Sequence, residues 1–230
     1  VLLGQGTCSI PHAGSFTLVS AEKALDHAGL APLELAPKEG LSLINGTQLT
    51  TALAIKTWAQ GKNLLAHANL AASLSIEGMR ASQKIALKQI ADVRNQEGVD
   101  ACAADIRTWL SGKSEVADSH DGCSKVQDAY SLRCAPQVHG VVWDELQHAE
   151  KILDREINSS TDNPLLFPDE SLSLSGGNFH ALYGARVSDT LAASLTILSS
   201  ISERRTAQLM SASSSGLPAF LIKDGGLNSG

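Results

Sequence analysis

Apolar residues recur at helical spacing through much of the chain. In residues 139–158 and again in residues 178–210, they follow one another mostly at intervals of three or four, which places each set on one face of a helix. The first set comprises Val142, Leu146, Ala149, Leu153 and Ile157, and the second Leu191, Leu195, Leu198 and Ile201. The pattern predicts two long amphipathic helices.

Further helices are predicted by composition and by end signals. Residues 47–78 are rich in Ala and Leu and contain no proline, and two more helical stretches are predicted at residues 80–95 and 99–110. Ser20 precedes a short segment with Glu22 in its first turn and Gly29 at its end, as in a capped helix. Since residues 178–210 as one helix would extend about 50 Å, we expect long helices packed side by side as a bundle.

Strand signals are sparse. Residues 165–167 and 171–175 alternate apolar and polar positions around a Pro-Asp-Glu turn, which predicts one small β-hairpin on a mainly α-helical body. Between the predicted helices lie polar, glycine-containing loops at residues 45–48, 120–140 and 158–178. Such connections often carry catalytic residues, so these loops are the first places to look for a site.

Composition narrows the class of protein. Charged residues make up 18% of the 230, below the roughly 25% usual for soluble domains, and the formal net charge is −6. The apolar content argues against disorder, and the acidic balance argues against a nucleic-acid partner. No apolar run is long enough to cross a membrane. Sparse charge instead suggests surface covered by other subunits.

The expected catalytic motifs of several enzyme classes are missing. The sequence contains no P-loop, GxGxxG, HExxH or GxSxG. Its cysteines, Cys8, Cys102, Cys123 and Cys134, have neither zinc-ligand nor redox-motif spacing. We expect free thiols, no metal site and a reducing, cytoplasmic location.

One loop combines the side chains that an amino acid substrate would need. Gln127, Tyr130 and Arg133 are three residues apart, so within a helical turn they would share a side. Arg133 offers a planar fork for a carboxylate, Tyr130 an acid or base oxygen, and Gln127 a positioning amide. A tyrosine base near neutrality needs neighbouring positive charge, which Arg133 could supply. The alternative is a loop held by an ordinary tyrosine hydrogen bond and a surface ion pair.

The other polar loops have simple structural explanations when taken singly. Asn45 precedes a long helical segment and could be a cap or turn residue, and Asn163 lies in a Thr-Asp-Asn-Pro turn. Phe179 follows a Gly-Gly-Asn turn that leads into a helix. Together, amides, a phenol and a guanidinium without a metal cluster suit the handling of an amino or carboxylic acid.

Five motifs, in order along the chain, resemble those of one family. They are INGTQ (44–48), VQDAYSLRCAPQVHG (126–140), TDNPL (161–165), SGGNFH (175–180), and GLPAF (216–220) followed by GGLNSG (225–230). The sequence from residue 30 to 230 thereby resembles the aromatic amino acid ammonia-lyases. The resemblance implies a largely α-helical subunit of the fumarase/aspartase-like superfamily, whose central bundle is shared in a homotetramer with active sites built from several subunits.

The same resemblance implies a prosthetic group. The family cyclises an Ala-Ser-Gly tripeptide of its own backbone into 4-methylideneimidazol-5-one (MIO), and this chain contains no Ala-Ser-Gly. We therefore expect the tripeptide just before Val1, with residues 1–40 as a connecting segment and 41–230 as the central bundle with its active-site loops. The chain would then be the central part of a subunit and inactive alone.

Residue roles follow from the matched motifs. The resemblance implies that Tyr130 removes the β-proton, that Arg133 pairs with the substrate carboxylate, and that Asn45 bonds near the electrophile and substrate. Gln127 and Asn163 would support the polar pocket, and Phe179 would pack near the prosthetic group. These side chains are Asn45, Gln127, Tyr130, Arg133, Asn163 and Phe179. Ala129 stands where many relatives have proline, a departure that we expect to be harmless.

The branch of the family is indicated by the C-terminal motifs. SERR (202–205), GLPAFL (216–221) and GGLNSG are more similar to the histidine branch, which makes urocanate and ammonia in the first step of histidine degradation, than to the plant phenylalanine enzymes. A tyrosine or phenylalanine ammonia-lyase or 2,3-aminomutase on the same scaffold stays open. So does a non-catalytic helical scaffold with degenerate loops.

Overall fold

The computed structural model describes residues 1–119, 122–123 and 125–227. They form two compact units, one of residues 1–46 and 161–179, the other of residues 47–160 and 180–230. Part of the predicted loop 120–140 and the last three residues of the GGLNSG motif lie outside the described residues. The fold is mainly α-helical, as predicted.

The first unit begins with a hairpin that the hydrophobic pattern did not predict. Strands β1 (Thr7–His12) and β2 (Ser15–Ser20) pair antiparallel around a tight turn at Ala13 and Gly14, both of which have positive φ. Most side chains on both strands are exposed, so no apolar alternation marks them. Helix α1 (Ala21–His27) follows, and the Ser20 side chain accepts a hydrogen bond from the Lys23 N–H, which confirms the predicted cap.

The rest of this unit carries the first candidate residues. Helix α2 (Glu39–Asn45) was also not predicted, and Asn45 is its last residue. Strands β3 (Leu165–Phe167) and β4 (Leu172–Leu174) pair antiparallel around a 3₁₀ turn at Pro168–Glu170. This is the hairpin that the sequence predicted.

Long helices make up the second unit. They are α3 (Gln48–Gly78), α4 (Lys88–Arg94), α5 (Glu97–Trp109), α6 (Glu115–Ser119), α7 (Tyr130–Arg133), α8 (Ala135–Ile157), α9 (Leu182–Met210) and α10 (Ala212–Ser215). Short 3₁₀ turns lie at Gln83–Ala86 and Ala219–Leu221. The bounds of α3 and α5 agree closely with the predicted segments.

The predicted apolar faces form the core of this unit. Val142, Leu146, Ala149 and Leu153 of α8 are buried against α3 and α9, and Leu191 and Leu198 of α9 are buried with them. Burial of these side chains is the main contribution to the stability of the bundle. Ile157 is an exception, because it ends α8 and is more than half exposed.

Three predicted helix bounds are wrong. Residues 80–95 are not one helix, since Leu87 is extended (ψ 141°) between the 3₁₀ turn and α4. Helix α8 begins at Ala135 instead of residue 139, because Pro136 needs no hydrogen-bond partner in a first turn. Helix α9 begins at Leu182, four residues after the prediction.

Helices α5 and α8 approach closely at two glycines. A Cβ atom at Gly98 would lie 2.0 Å from the Gly140 carbonyl oxygen, and one at Gly140 would lie 2.6 Å from the Val99 nitrogen. Asp144 Oδ1 accepts a hydrogen bond of 3.0 Å from the Gly98 N–H. The carboxylate of α8 thereby caps the N-terminus of α5 where the two backbones meet.

Candidate active site

Helix α7 is a single turn that presents Tyr130 and Arg133. Its inner residues, Ser131 and Leu132, are buried, whereas Tyr130 is 71% exposed. The guanidinium carbon of Arg133 lies 4.8 Å from the centroid of the Tyr130 ring. Within the described residues, neither the Tyr130 hydroxyl nor the Arg133 guanidinium has a hydrogen-bond or ion-pair partner. The structural alternative of a tied-down loop is therefore not supported, and both groups are available to a ligand.

Gln127 is not on this helix. Residues 127–129 are non-helical, and Ala129 has extended backbone (φ −58°, ψ 147°) immediately before α7. Gln127 and Arg133 line one cavity of about 980 Å³, whereas Tyr130 lines another, mainly apolar cavity of about 700 Å³. The expectation that Gln127, Tyr130 and Arg133 share one side of a helical turn is wrong for Gln127, because the helix begins only at Tyr130.

The larger cavity has a charge distribution suited to an anion. The cations on its wall are Arg80, Lys84, Lys125 and Arg133. Its acidic groups are Glu77, Asp118 and Asp128. Glu77 accepts hydrogen bonds from Gln83 and Ser114, and Asp128 accepts one of 2.8 Å from the Ser82 N–H. Arg133 is left free to bind a carboxylate.

In the first unit, Asn163 organises the turn before the β3–β4 hairpin and the segment after it. Its Oδ1 accepts hydrogen bonds from Ser175 Oγ (3.1 Å) and the Gly176 N–H (2.7 Å). Its own N–H donates to Asp162 Oδ1 at 2.7 Å. The side-chain oxygen of Asn163 is therefore committed to this loop, which fixes where its amide group lies.

Asp162 links this turn to the helix that ends at Asn45. Its Oδ2 accepts hydrogen bonds from Lys38 Nζ and from Ser42 Oγ, the latter at 2.5 Å, and Ser42 lies one turn before Asn45 on α2. The Lys38 ammonium and the Ser42 hydroxyl lower the pKa of Asp162 to about 2. Lys38 has a left-handed backbone (φ 76°) at the start of α2.

Phe179 lies in the turn after β4 and is exposed. Asn45, Asn163 and Phe179 thus belong to the first unit, and Gln127, Tyr130 and Arg133 to the second. The sequence did not predict the contacts of Lys38 and Ser42 with Asp162, because no local pattern indicates a hydrogen bond between residues more than a hundred positions apart.

A buried network of polar side chains, which the sequence also did not predict, contacts α7. Arg205 Nε of α9 donates to the Ser131 carbonyl at 3.0 Å, and Arg205 Nη2 lies 3.4 Å from His139 Nε2 on α8. His139 Nδ1 lies 2.6 Å from Asn69 Oδ1 on α3, and Asn69 Nδ2 donates to Asp105 Oδ2 on α5 at 2.8 Å. Burial, with Arg205 adding to it, lowers the pKa of His139 to about 3.

Within the described ranges, no group of three His, Cys, Asp or Glu side chains is arranged to hold a metal ion. No helix in the described part of the chain combines the length and apolar character needed to cross a membrane. The four cysteines, all within the described residues, are free, with Cys102 buried and Cys123 exposed.

The chain matches one known family of proteins over its whole length. The family model of the aromatic amino acid lyases matches residues 1–230, so the chain belongs to that family. The histidine ammonia-lyase of Caenorhabditis elegans is 44% identical over 232 residues, covering 100% of this chain and 34% of that protein. The histidine ammonia-lyase of Stigmatella aurantiaca is 49% identical over 210 residues, covering 91% and 41%. The chain thus spans less than half the length of these relatives.

Solved structures agree. Histidine ammonia-lyase from Trypanosoma cruzi superposes with a TM-score of 0.84 at 39% identity, covering 100% of this chain and 42% of that one. Tyrosine aminomutase from Streptomyces globisporus also gives 0.84, at 33% identity, covering 99% and 46%. The long-helix bundle is therefore the architecture of the family.

Proposed function

We propose that the protein containing this chain is a histidine ammonia-lyase, which eliminates ammonia from L-histidine to give urocanate. The observation that carries the proposal is the 43–49% identity to several curated proteins named histidine ammonia-lyase. The Arg133 guanidinium supports it, because Arg133 lines a cavity together with Arg80, Lys84 and Lys125 and an amino acid substrate brings a carboxylate.

Arg133 and Tyr130 have complementary roles in this proposal. The guanidinium of Arg133 binds the substrate carboxylate through two parallel N–H groups and so fixes the amino acid in one orientation. Tyr130, one helical turn before it, removes the β-proton with its phenolic oxygen. The guanidinium carbon of Arg133 lies 4.8 Å from the centroid of the Tyr130 ring, so the carboxylate-binding group and the base are neighbours on one helical turn.

The remaining candidates have the roles that the family's motifs imply, in active sites that we propose to be shared between subunits. We assign the Asn45 amide to hydrogen bonding near the electrophile and substrate, and Gln127 and Asn163 to the support of the polar pocket. Phe179 supplies an exposed aromatic face in the first unit. Asp162 holds the Asn163 turn to α2, so we expect it to fix the position of Asn163 relative to Asn45.

The donor set fits the family's prosthetic group. Asn45 is half-buried and Phe179 exposed, so an amide and an aromatic face are available to it. Once formed from the backbone, MIO would supply an electrophile that activates the substrate amine for departure. The chain contains no Ala-Ser-Gly, so we place the tripeptide in the part of the subunit that this chain does not include, consistent with the partial coverage of relatives.

Substrate turnover tests the proposal. The full-length protein is incubated separately with L-histidine, L-tyrosine and L-phenylalanine, and ammonia and the unsaturated acid are measured. We expect release from histidine with formation of urocanate. Turnover of tyrosine or phenylalanine but not histidine would move the protein to another branch.

A single substitution tests whether the turn is catalytic or only a scaffold. Tyr130→Phe in the full-length protein should lower kcat by about 100-fold or more, because the base oxygen is lost. Tyr183, the other tyrosine of the chain, is similarly exposed, and Tyr183→Phe is the matched control. Full activity in Tyr130→Phe would contradict the catalytic assignment and favour the scaffold hypothesis.

A second candidate function is a tyrosine or phenylalanine ammonia-lyase or 2,3-aminomutase. The observation in its favour is the tyrosine aminomutase structure that matches with the same TM-score as the histidine enzyme. A β-amino acid among the products would identify the aminomutase.

We also propose a homotetramer with active sites shared between subunits. The support is a set of exposed leucines on α3, a helix with few charges: Leu49, Leu53, Leu64 and Leu74. Light scattering of the full-length protein gives the subunit number directly. A cytoplasmic location is proposed with it, on the support of the free thiols.

A further inference from the structure

The buried network behind α7 is the strongest unassigned feature of the second unit. It crosses four helices, from Arg205 on α9 through His139 on α8 and Asn69 on α3 to Asp105 on α5. His139 is 0% exposed and Arg205 3% exposed. Burying a guanidinium and an imidazole is costly unless every polar atom is used, so this arrangement calls for an explanation beyond filling space.

The chemistry of the end groups sets the direction of every hydrogen bond. A guanidinium only donates, so His139 Nε2 must accept from Arg205, and the proton of the neutral imidazole lies on Nδ1. That N–H donates to Asn69 Oδ1. The Asn69 amide group then donates to the Asp105 carboxylate, which only accepts. Every hydrogen bond is therefore donated in the direction from Arg205 to Asp105. The other tautomer of His139, or a flipped Asn69 amide, would leave two donors facing each other.

At its Arg205 end, this network contacts helix α7, which carries Tyr130 and Arg133. Arg205 Nε donates to the carbonyl of Ser131, the residue directly after Tyr130 and two before Arg133. Helix α7 has no side-chain cap and is only one turn long. A backbone this short has little stability of its own, so an external hydrogen bond on its carbonyl has a large share in fixing it.

We propose that Arg205 is a positioning residue, oriented by His139 and Asn69, that holds the Ser131 carbonyl and thereby places Tyr130 and Arg133 for the reaction. This inference rests on the proposed lyase function for its catalytic consequence. Helix α9 supplies a rigid support 29 residues long, and His139 restricts the rotation of the guanidinium about its long side chain. The lowered pKa of His139 keeps its Nε2 an acceptor at neutral pH.

A conservative substitution separates position from charge. Arg205→Lys keeps the cation, but one ammonium cannot reproduce the fork that reaches both the Ser131 carbonyl and the imidazole. The matched control is Arg107→Lys, because Arg107 Nη1 also donates to a backbone carbonyl, that of Ala86, at 2.5 Å. Thermal unfolding of both variants reports any general loss of stability.

The first readout is hydrogen exchange in the full-length protein, followed by mass spectrometry of the peptide covering residues 129–134. In the parent, the amides of Leu132, Arg133 and Cys134 are hydrogen-bonded within the turn. We expect Arg205→Lys to speed their exchange by about tenfold or more, and Arg107→Lys to leave it within about twofold. Unchanged exchange in Arg205→Lys would overturn the proposal, whatever the protein catalyses.

The second readout is kinetic. Arg205→Lys should lower kcat by about tenfold or more, since small displacements of a catalytic group are costly. If Arg205 acts through Tyr130, the same substitution in a Tyr130→Phe background should lower kcat no further. Losses that multiply, or faster exchange with unchanged kcat, would overturn the positioning role. A parent that releases no ammonia from any substrate would refute the proposed function alone, because hydrogen exchange still decides whether Arg205 holds the turn.

Discussion

His139 should make the folded protein sensitive to acid well above the range in which carboxylates titrate. Its imidazole is fully buried and neutral, and its pKa is lowered from 6.5 to about 3. The unfolded chain therefore binds a proton that the folded chain rejects between these two pH values. Stability due to this group is fully present above pH 6.5 and is lost progressively as the pH falls toward 3.

The size of the effect follows from linkage. Between pH 8 and pH 5, one histidine with these two pKa values lowers the free energy of unfolding by about 2 kcal/mol. The charged and titratable groups around it do not mask the change. Burial lowers the pKa of Arg205 only to about 10 and raises that of Cys102 to about 12, so both keep their charge state in this window. The Asp105 carboxylate accepts its hydrogen bond from the Asn69 amide, which lies between it and His139.

Guanidinium unfolding of the full-length protein at pH 8 and pH 5 measures this difference. His139→Gln is less stable at both pH values because it disturbs the network, but it should lose about 2 kcal/mol less than the parent on acidification. His67→Gln removes an exposed histidine from α3 and controls for the loss of a histidine as such. Equal pH dependence in the parent and in His139→Gln would refute the reasoning.

Three further outcomes are expected. Gly140→Ala should lower the free energy of unfolding by about 3 kcal/mol or more, because its Cβ would meet the backbone of α5. Gly61→Ala should change it by no more than about 1 kcal/mol, because its Cβ would meet leucine side chains, the nearest atom at 3.1 Å; chemical denaturation compares the two variants. Lys38→Met should raise the pKa of Asp162 toward its ordinary value, as carboxyl NMR titration would show. Cys102 should resist thiol reagents at pH 8 in the folded protein, since burial raises its pKa to about 12.

The long helices could be predicted because their signals are local. The three- and four-residue spacing of Val142, Leu146 and Leu153 describes a face that the fold then buries. The β1–β2 hairpin has no such signal, since most of its side chains face solvent, and it depends on a tight turn at Ala13 and Gly14. An element that buries little apolar surface has no periodic apolar pattern in its sequence, so it cannot be predicted from such a pattern.

The candidate site divides in the same way. Tyr130 and Arg133 could be paired in advance because three residues of one helical turn separate them. Asp162 and Arg205 could not be assigned from spacing, because their partners are distant in the sequence. Ser42, the partner of Asp162, lies 120 residues away from it, and Ser131, the partner of Arg205, lies 74 residues away. Arg205 was visible only as part of the SERR motif, which says nothing of the carbonyl that it holds.

Lys38 shows two demands meeting at one residue. Its left-handed backbone at the start of α2 favours glycine or asparagine, and a lysine there costs about 1 kcal/mol or more. Its ammonium nevertheless bonds Asp162, the carboxylate that joins the Asn163 turn to the helix ending at Asn45. Glycine would relax the backbone and lose the cation, so position 38 cannot be improved for one demand without loss to the other.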